Sequence, residues 1–197
     1  MRPRLTRMID ETLKKYITAV KKIPDEEFEQ IASWAQYKAL KKGQQLLKEG
    51  DICRSFYLVK TGYLRTYYTN NNGDTINLNF TFEGKFATNM RSFKDKSPSE
   101  IVIEAGEDTE VWIFDADAIT DKHPTHPLIT FVRRIAVRIL VASEEHSDLF
   151  KMYTPTERYR FIEKNNPQLL QRVSLSQISS YIGVSRETLS RIRAKNP

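Results

Sequence analysis

At 197 residues, with 40% hydrophobic and 28% charged side chains, the chain is long enough for one medium domain and a smaller one, each with a real core. A lone cysteine, Cys53, excludes an internal disulfide and a cysteine-ligated cluster; it reads as a small half-buried residue or, alternatively, a redox-sensing thiol. The opening Met-Arg-Pro-Arg-Leu-Thr-Arg has no apolar run behind it, and the most apolar stretch, Leu128–Ala142, is interrupted by Arg133, Arg134 and Arg138. Neither a signal peptide nor a membrane span is expected, which places the protein in the cytoplasm.

Residues 8–34 read as two helices. Ile9, Leu13 and Ile17 share one face of the first, and the second opens at Pro24 and carries Phe28 and Ile31. From Tyr37 to Phe114 the texture changes to short runs rich in Tyr, Phe, Ile, Val and Thr, namely 55–60, 63–69, 74–80, 100–105 and 109–114. Gly50, Gly62, Gly73 and Gly84 punctuate them at intervals of 12, 11 and 11 residues. Asn71-Asn72-Gly73 is a hairpin turn. Strands of this length with regular turns predict a sandwich or barrel.

After Pro127 the periodicity becomes helical to about Phe150. Leu128, Val132, Ile135, Ile139, Ala142, His146 and Leu149 alternate in steps of four and three, the spacing of a seam that pairs with a second helix. Phe131, Val137, Leu140 and Val141 form a second apolar face, expected to pack on the strands. A boundary falls at Tyr153–Thr154. Thr154-Pro155-Thr156-Glu157 is a capping box with proline at the first helical position, and the helix it starts runs to Lys164, ahead of Asn166-Pro167.

Residues 174–193 read as two short helices with a corner between them, the sequence form of a helix-turn-helix. Ser174 with Gln177 caps the first helix, Gly183 supplies the corner, and Ser185 caps the second. Leu189 and Ile192 turn inward, leaving Arg186, Glu187, Ser190 and Arg191 outside. Arginine forks onto guanine O6 and N7, and glutamate accepts from cytosine N4, so this face carries side chains that distinguish bases. Residues 151–197 hold nine Lys or Arg and three Asp or Glu, while residues 1–150 balance at 22 each. All the net charge of +6 therefore lies in the last quarter, the footprint of a module that meets phosphates.

A glycine-punctuated strand roll, a long dimer-type helix and a C-terminal helix-turn-helix together resemble the Crp/Fnr family of bacterial transcription regulators. The recognition run Ile182–Arg191 and the four strand-turn glycines carry the likeness, and the run from Glu157 to Arg193 looks most like members from the Bacteroidetes. The resemblance implies an α+β chain: an N-terminal double-stranded β-roll (a cyclic-nucleotide-binding-like jelly roll) with flanking helices over 1–126, a dimerisation helix over 127–152, and a helix-turn-helix DNA-binding domain over 153–197. It implies Ser185, Arg186, Glu187, Ser190, Arg191 and Arg193 as DNA contacts, and as partners double-stranded DNA, a second copy of the chain and RNA polymerase.

Family members that bind cyclic nucleotides hold the ribose with a Gly-Glu pair and the phosphate with an arginine beside a small hydroxyl residue. Aligned with that cassette, this chain offers Thr88, Asn89, Met90 and Arg91, with Ser99 at the arginine position and Glu100 next to it. A buried phosphate needs a cation or several donors, and Ser99 beside an anionic Glu100 supplies the wrong charge. Weak or no cAMP binding is expected, with no cofactor and the effector unidentified. An alternative is a cyclic-nucleotide signalling module whose C-terminal helices are only an interaction surface. Catalysis is not expected: His123, His126 and His146 all follow the roll, which leaves no cupin-type metal cluster, and nucleophile elbows and phosphate loops are absent.

Overall fold

The computed structural model describes residues 10–20, 22–115 and 127–194. Among these residues, helices α1 (Glu11–Val20) and α2 (Asp25–Ala32) precede eight strands. These are β1 (Ala35–Leu40), β2 (Gln45–Leu47), β3 (Ser55–Thr61), β4 (Leu64–Thr69), β5 (Thr75–Thr81), β6 (Phe86–Ala87), β7 (Val102–Ala105) and β8 (Thr109–Asp115), with a one-turn helix α3 (Met90–Asp95) between β6 and β7. They form two four-stranded sheets, ordered β1-β8-β3-β6 and β2-β7-β4-β5, with antiparallel pairing throughout. Among the described residues five helices follow: α4 (Pro127–Met152), α5 (Pro155–Asn165), α6 (Pro167–Arg172), α7 (Leu175–Ile182) and α8 (Arg186–Ala194).

Strand β3 shows why the roll needs helices. Its run Phe56-Tyr57-Leu58-Val59 is apolar without interruption because both of its faces are covered. Tyr57 and Val59 point between the sheets, among Leu40, Leu47, Leu64, Ile103 and Val111. Phe56 and Leu58, with Trp112 and Phe114 of β8, face outward onto Leu13 and Ile17 of α1, Phe28 and Ile31 of α2, and Leu128, Phe131 and Ile135 of α4. Each such side chain contributes about 1.5–3 kcal/mol by leaving water.

The β4–β5 hairpin closes where the Asn-Asn-Gly signal lies. The Asn70 side chain accepts from the N–H groups of Asn72 and Asp74, and Thr69 pairs with Thr75. Gly62 has no substitute: its φ is +82°, and a Cβ there would lie 2.7 Å from the Asp108 carbonyl oxygen and 2.9 Å from the Thr109 Cα.

Three strands and two helices lack a sequence signal. In β1 only the end residues Ala35 and Leu40 are buried, β2 and β6 have three and two residues, and α3 and α6 have six residues each. Pro24 stands at the N-cap of α2, one position before the expected first turn. Ile9, His123 and His126 fall outside the described residues.

Candidate nucleic-acid interface and effector pocket

The corner residue and both caps of the helix-turn-helix are in place. Ser174 accepts from Gln177 N–H at 3.3 Å, Gly183 takes φ +73°, and Ser185 Oγ accepts from Thr188 N–H at 3.1 Å. Leu189 and Ile192 of α8 are buried with Ile178 and Ile182 of α7 and with Tyr159, Ile162, Leu169 and Val173. Arg186, Glu187, Ser190, Arg191 and Arg193 are all exposed. With Leu189 turned inward, a period of 3.6 puts Glu187, Ser190 and Arg191 on the outward face and Arg186 and Arg193 together along one edge. Hydrogen bonds from its own backbone and from Ser185, with Arg186 and Arg191 nearby, hold the Glu187 carboxyl below its ordinary value. It therefore stays a charged acceptor. The Ser185 hydroxyl is engaged in the cap.

Two arginines that the sequence does not single out set where this helix points. Arg158 of α5 gathers carbonyl oxygens from two helix ends. It donates to Leu149, Phe150 and Tyr153 at the C-terminus of α4 (3.3, 3.2 and 3.1 Å) and to Ile182 at the C-terminus of α7 (3.0 Å). A helix end leaves such carbonyls without intrahelical partners, and a guanidinium satisfies several at once. Arg172 of α6 reaches the roll: it forks onto both oxygens of Glu83 at 2.9 and 3.0 Å, and also meets Glu107. Partial burial pushes the Glu83 carboxyl up, but the Arg172 fork and the Gly62 N–H outweigh it and leave the carboxyl below its ordinary value. This clasp is present above the usual carboxylate range and weakens as pH falls through the lowered value.

Helix α7 itself lies on β5. Ser180 accepts from Asn77 N–H at 3.0 Å and donates to Thr75 O at 3.2 Å, and Tyr181 meets the Phe80 ring edge-on. The fit is imperfect, since buried Asn77 Oδ1 has no partner. His146 of α4 stacks on Tyr181 with ring centroids 4.8 Å apart, and burial lowers its pKa, so the ring is neutral at pH 7.

The two apolar faces of α4 are not buried as expected. Leu128, Ile135 and Leu149 are buried inside their own chain, Val132, Ile139 and His146 are half-buried there, and Ala142 is exposed. Of the other face only Phe131 packs on the strands, against Phe86 and Phe114. Val137, Leu140 and Val141 stand 60%, 59% and 46% exposed. The physical reason is the outer face of β3 and β8, whose four large apolar side chains need the wider stripe as cover.

The cassette residues come together, but their polar groups are engaged with one another. Asn89 caps α3 by accepting from Ser92 N–H and donates to Ser99 Oγ at 2.9 Å. Ser99 is buried and donates to Ile101 O at 2.6 Å. Thr88 donates to Ser55 O and touches buried Cys53 Sγ at 3.3 Å. Met90 packs against the helix-side core. Arg91 and Glu100 pair at 3.6 Å with side chains 78% and 83% exposed, an interaction of little energetic weight. Two surface concavities lie elsewhere, one beside His146 and one along α4. No group of three metal-ligating side chains occurs among the described residues, and no described helix is long and apolar enough to cross a membrane.

Residues 37–125 match the family model of the cyclic nucleotide-binding domain. No curated protein sequence matches the chain. Among solved structures, FixK2 from Bradyrhizobium japonicum superposes with a TM-score of 0.67 at 20% identity, covering 82% of this chain and 83% of that one. The c-di-GMP responsive global regulator CLP of Xanthomonas campestris gives 0.67 at 15% identity over 87% and 91%. A transcriptional regulator of the CRP/FNR family from Thermus thermophilus, TTHA1359, gives 0.63 at 14% identity over 81% and 84%. At these identities the likeness is one of fold. Residues 37–125 thus resemble a cyclic nucleotide-binding domain, and the chain as a whole shares its fold with these solved regulators.

Proposed function

We propose that the chain is a non-enzymatic, sequence-specific transcription regulator of the cytoplasm that reads DNA with α8. One observation carries the reading: a helix anchored on one side by Leu189 and Ile192 presents Arg186, Glu187, Ser190 and Arg191 to solvent, in the quarter of the chain that holds its whole charge surplus. Arg193, Arg186, and Arg160 and Lys164 of α5, all exposed, supply the sequence-independent phosphate term. A second copy docks on Val137, Leu140 and Val141, and the DNA-bound dimer places two recognition helices in successive major grooves about 34 Å apart. RNA polymerase is the expected further partner. Selection of bound duplexes from a random pool tests this: an imperfect palindrome with half-sites one helical turn apart should emerge. A pool that stays random at every round would overturn the reading.

A second reading, a cyclic-nucleotide switch, is favoured only by the family match of residues 37–125. The engaged side chains of Asn89, Ser99 and Thr88 and the lack of a cation at Ser99 argue against it. Titration calorimetry with cAMP and cGMP is expected to show no heat of binding. Micromolar affinity for either would reverse the assignment of the pocket as degenerate.

A further inference from the structure

Helix α7 is held from two sides by one line of rings. His146 of α4 stacks on Tyr181 of α7 at 4.8 Å and 18°, Phe150 meets His146 edge-on at 5.0 Å, and Tyr181 meets Phe80 of β5 at 5.4 Å. The residue before Tyr181 fastens the side toward the roll. Ser180 accepts from Asn77 N–H and donates to Thr75 O, and so takes up backbone groups of β5, an edge strand of its sheet. Beside the imidazole lies a cavity of about 10 Å³, walled also by Arg158, Ile162 and Ile182. That is room for about one water, too little to hydrate an added charge fully. Helix α8 leaves α7 at the Gly183 corner, and its Leu189 and Ile192 are buried with Ile178 and Ile182 of α7. What fixes α7 therefore fixes the direction of α8.

We infer that His146 is a positioning residue for α8: as a neutral ring it holds α7 against α4, and as an imidazolium it lets go. The groups that face it decide this. Helix α5 contributes the Arg158 guanidinium, α7 contributes Tyr181, whose phenol burial pushes up to about 12, and β5 contributes no ionisable side chain. On its own helix the neighbours one turn away are Ala142, Ser143, Leu149 and Phe150, while Glu144, Glu145, Asp148 and Lys151 are exposed. A proton on His146 thus shares its cavity with a guanidinium and with no carboxylate. Burial lowers the pKa of the ring accordingly.

Above the ordinary histidine value of 6.5 the ring is neutral whether or not α7 is docked, and the contact keeps its full strength. Below it an undocked ring takes up a proton that the docked ring resists. Docking then weakens with falling pH until the docked ring titrates as well. This role rests on the DNA-reading function proposed above and makes it sensitive to protons.

Fluorescence anisotropy of the full chain on its selected operator, from about pH 7.5 to about pH 5.5, tests this against His146→Phe, which keeps a ring on Tyr181 but takes no proton. The two chains should bind alike at the upper end, and the parent should lose roughly three- to tenfold in affinity relative to His146→Phe at the lower end. His123 and His126 are common to both chains, so the difference between the profiles belongs to His146. In a Tyr181→Leu background, replacing His146 by Phe should no longer change the profile. Coincident profiles for the parent and His146→Phe would overturn the inference. So would a parent that binds tighter in acid than His146→Phe, the result of a Tyr181 face that holds the imidazolium. NMR titration of the imidazole protons without DNA gives a second reading. A His146 pKa below 6.5 that rises in Tyr181→Leu is expected, and a value at or above 6.5 would overturn the role of His146 while leaving the DNA reading intact. A chain that selects no operator at any pH would instead sink the DNA reading, and this role with it.

Discussion

Replacing Arg191 by alanine is expected to cost about 1–3 kcal/mol of discrimination at one base pair in each half-site of the selected operator. Arg191 lies on the outward face of α8, beside Ser190 and near Glu187, and its guanidinium is exposed in the free protein. Competition gel shifts against operators altered one base pair at a time would show the preference at that position flattening while the others persist. Arg193 supplies the contrast, because it lies on the edge of α8 with Arg186. Its alanine variant should weaken binding to all duplexes alike and lower the salt dependence by about one ion per protomer. If the Arg191 variant ranks operator variants as the parent does, α8 does not read bases through that residue.

An Arg158→Ala chain should lose about 2–4 kcal/mol of stability, and the loss should concentrate where α4, α5 and α7 meet. The guanidinium satisfies four carbonyl oxygens on two helix ends and lies over the Phe150 ring at 4.4 Å. Water can replace part of this on the exposed side, which sets the upper bound. Lysine brings one charge but not the planar fork, so Arg158→Lys should recover less than half of the loss. Urea unfolding gives the magnitude, and amide exchange of α7 shows whether the change is local. The corner at Gly183 is part of the same construction: a Cβ there would sit 3.2 Å from the Phe150 ring, on a backbone with φ +73°. Unchanged stability in Arg158→Ala would show that these four carbonyl contacts do not hold the junction together.

Arg172, in turn, explains why the C-terminal helices lean on the roll. Its fork onto Glu83 and its contact with Glu107 join α6 to the turns after β5 and β7, while Tyr63 and Phe82 flank the guanidinium at 5.7 and 5.2 Å. The unpartnered Asn77 Oδ1 at the same junction is a cost the docked arrangement carries.

Local chemistry was readable from the residues alone wherever its cause lies within about four positions. Ser174, Thr154 with Glu157, Ser185 and Gly183 each satisfy or turn their own backbone, and the Asn70–Asp74 turn closes itself with its own side chain. The same holds for the inward Leu189 and Ile192, which a 3.6-residue period identifies. The sequence could not say which apolar face of α4 would be covered. Both faces carry large aliphatic side chains, and only the outward Phe56, Leu58, Trp112 and Phe114 of the roll decided that Leu128, Phe131 and Ile135 turn in while Val137, Leu140 and Val141 stay out. Nor could it announce Arg158 or Arg172, whose partners lie as many as 24 and 89 positions away. Burial and long-range ion pairing depend on what the folded chain brings alongside, and periodicity along one segment holds no record of that.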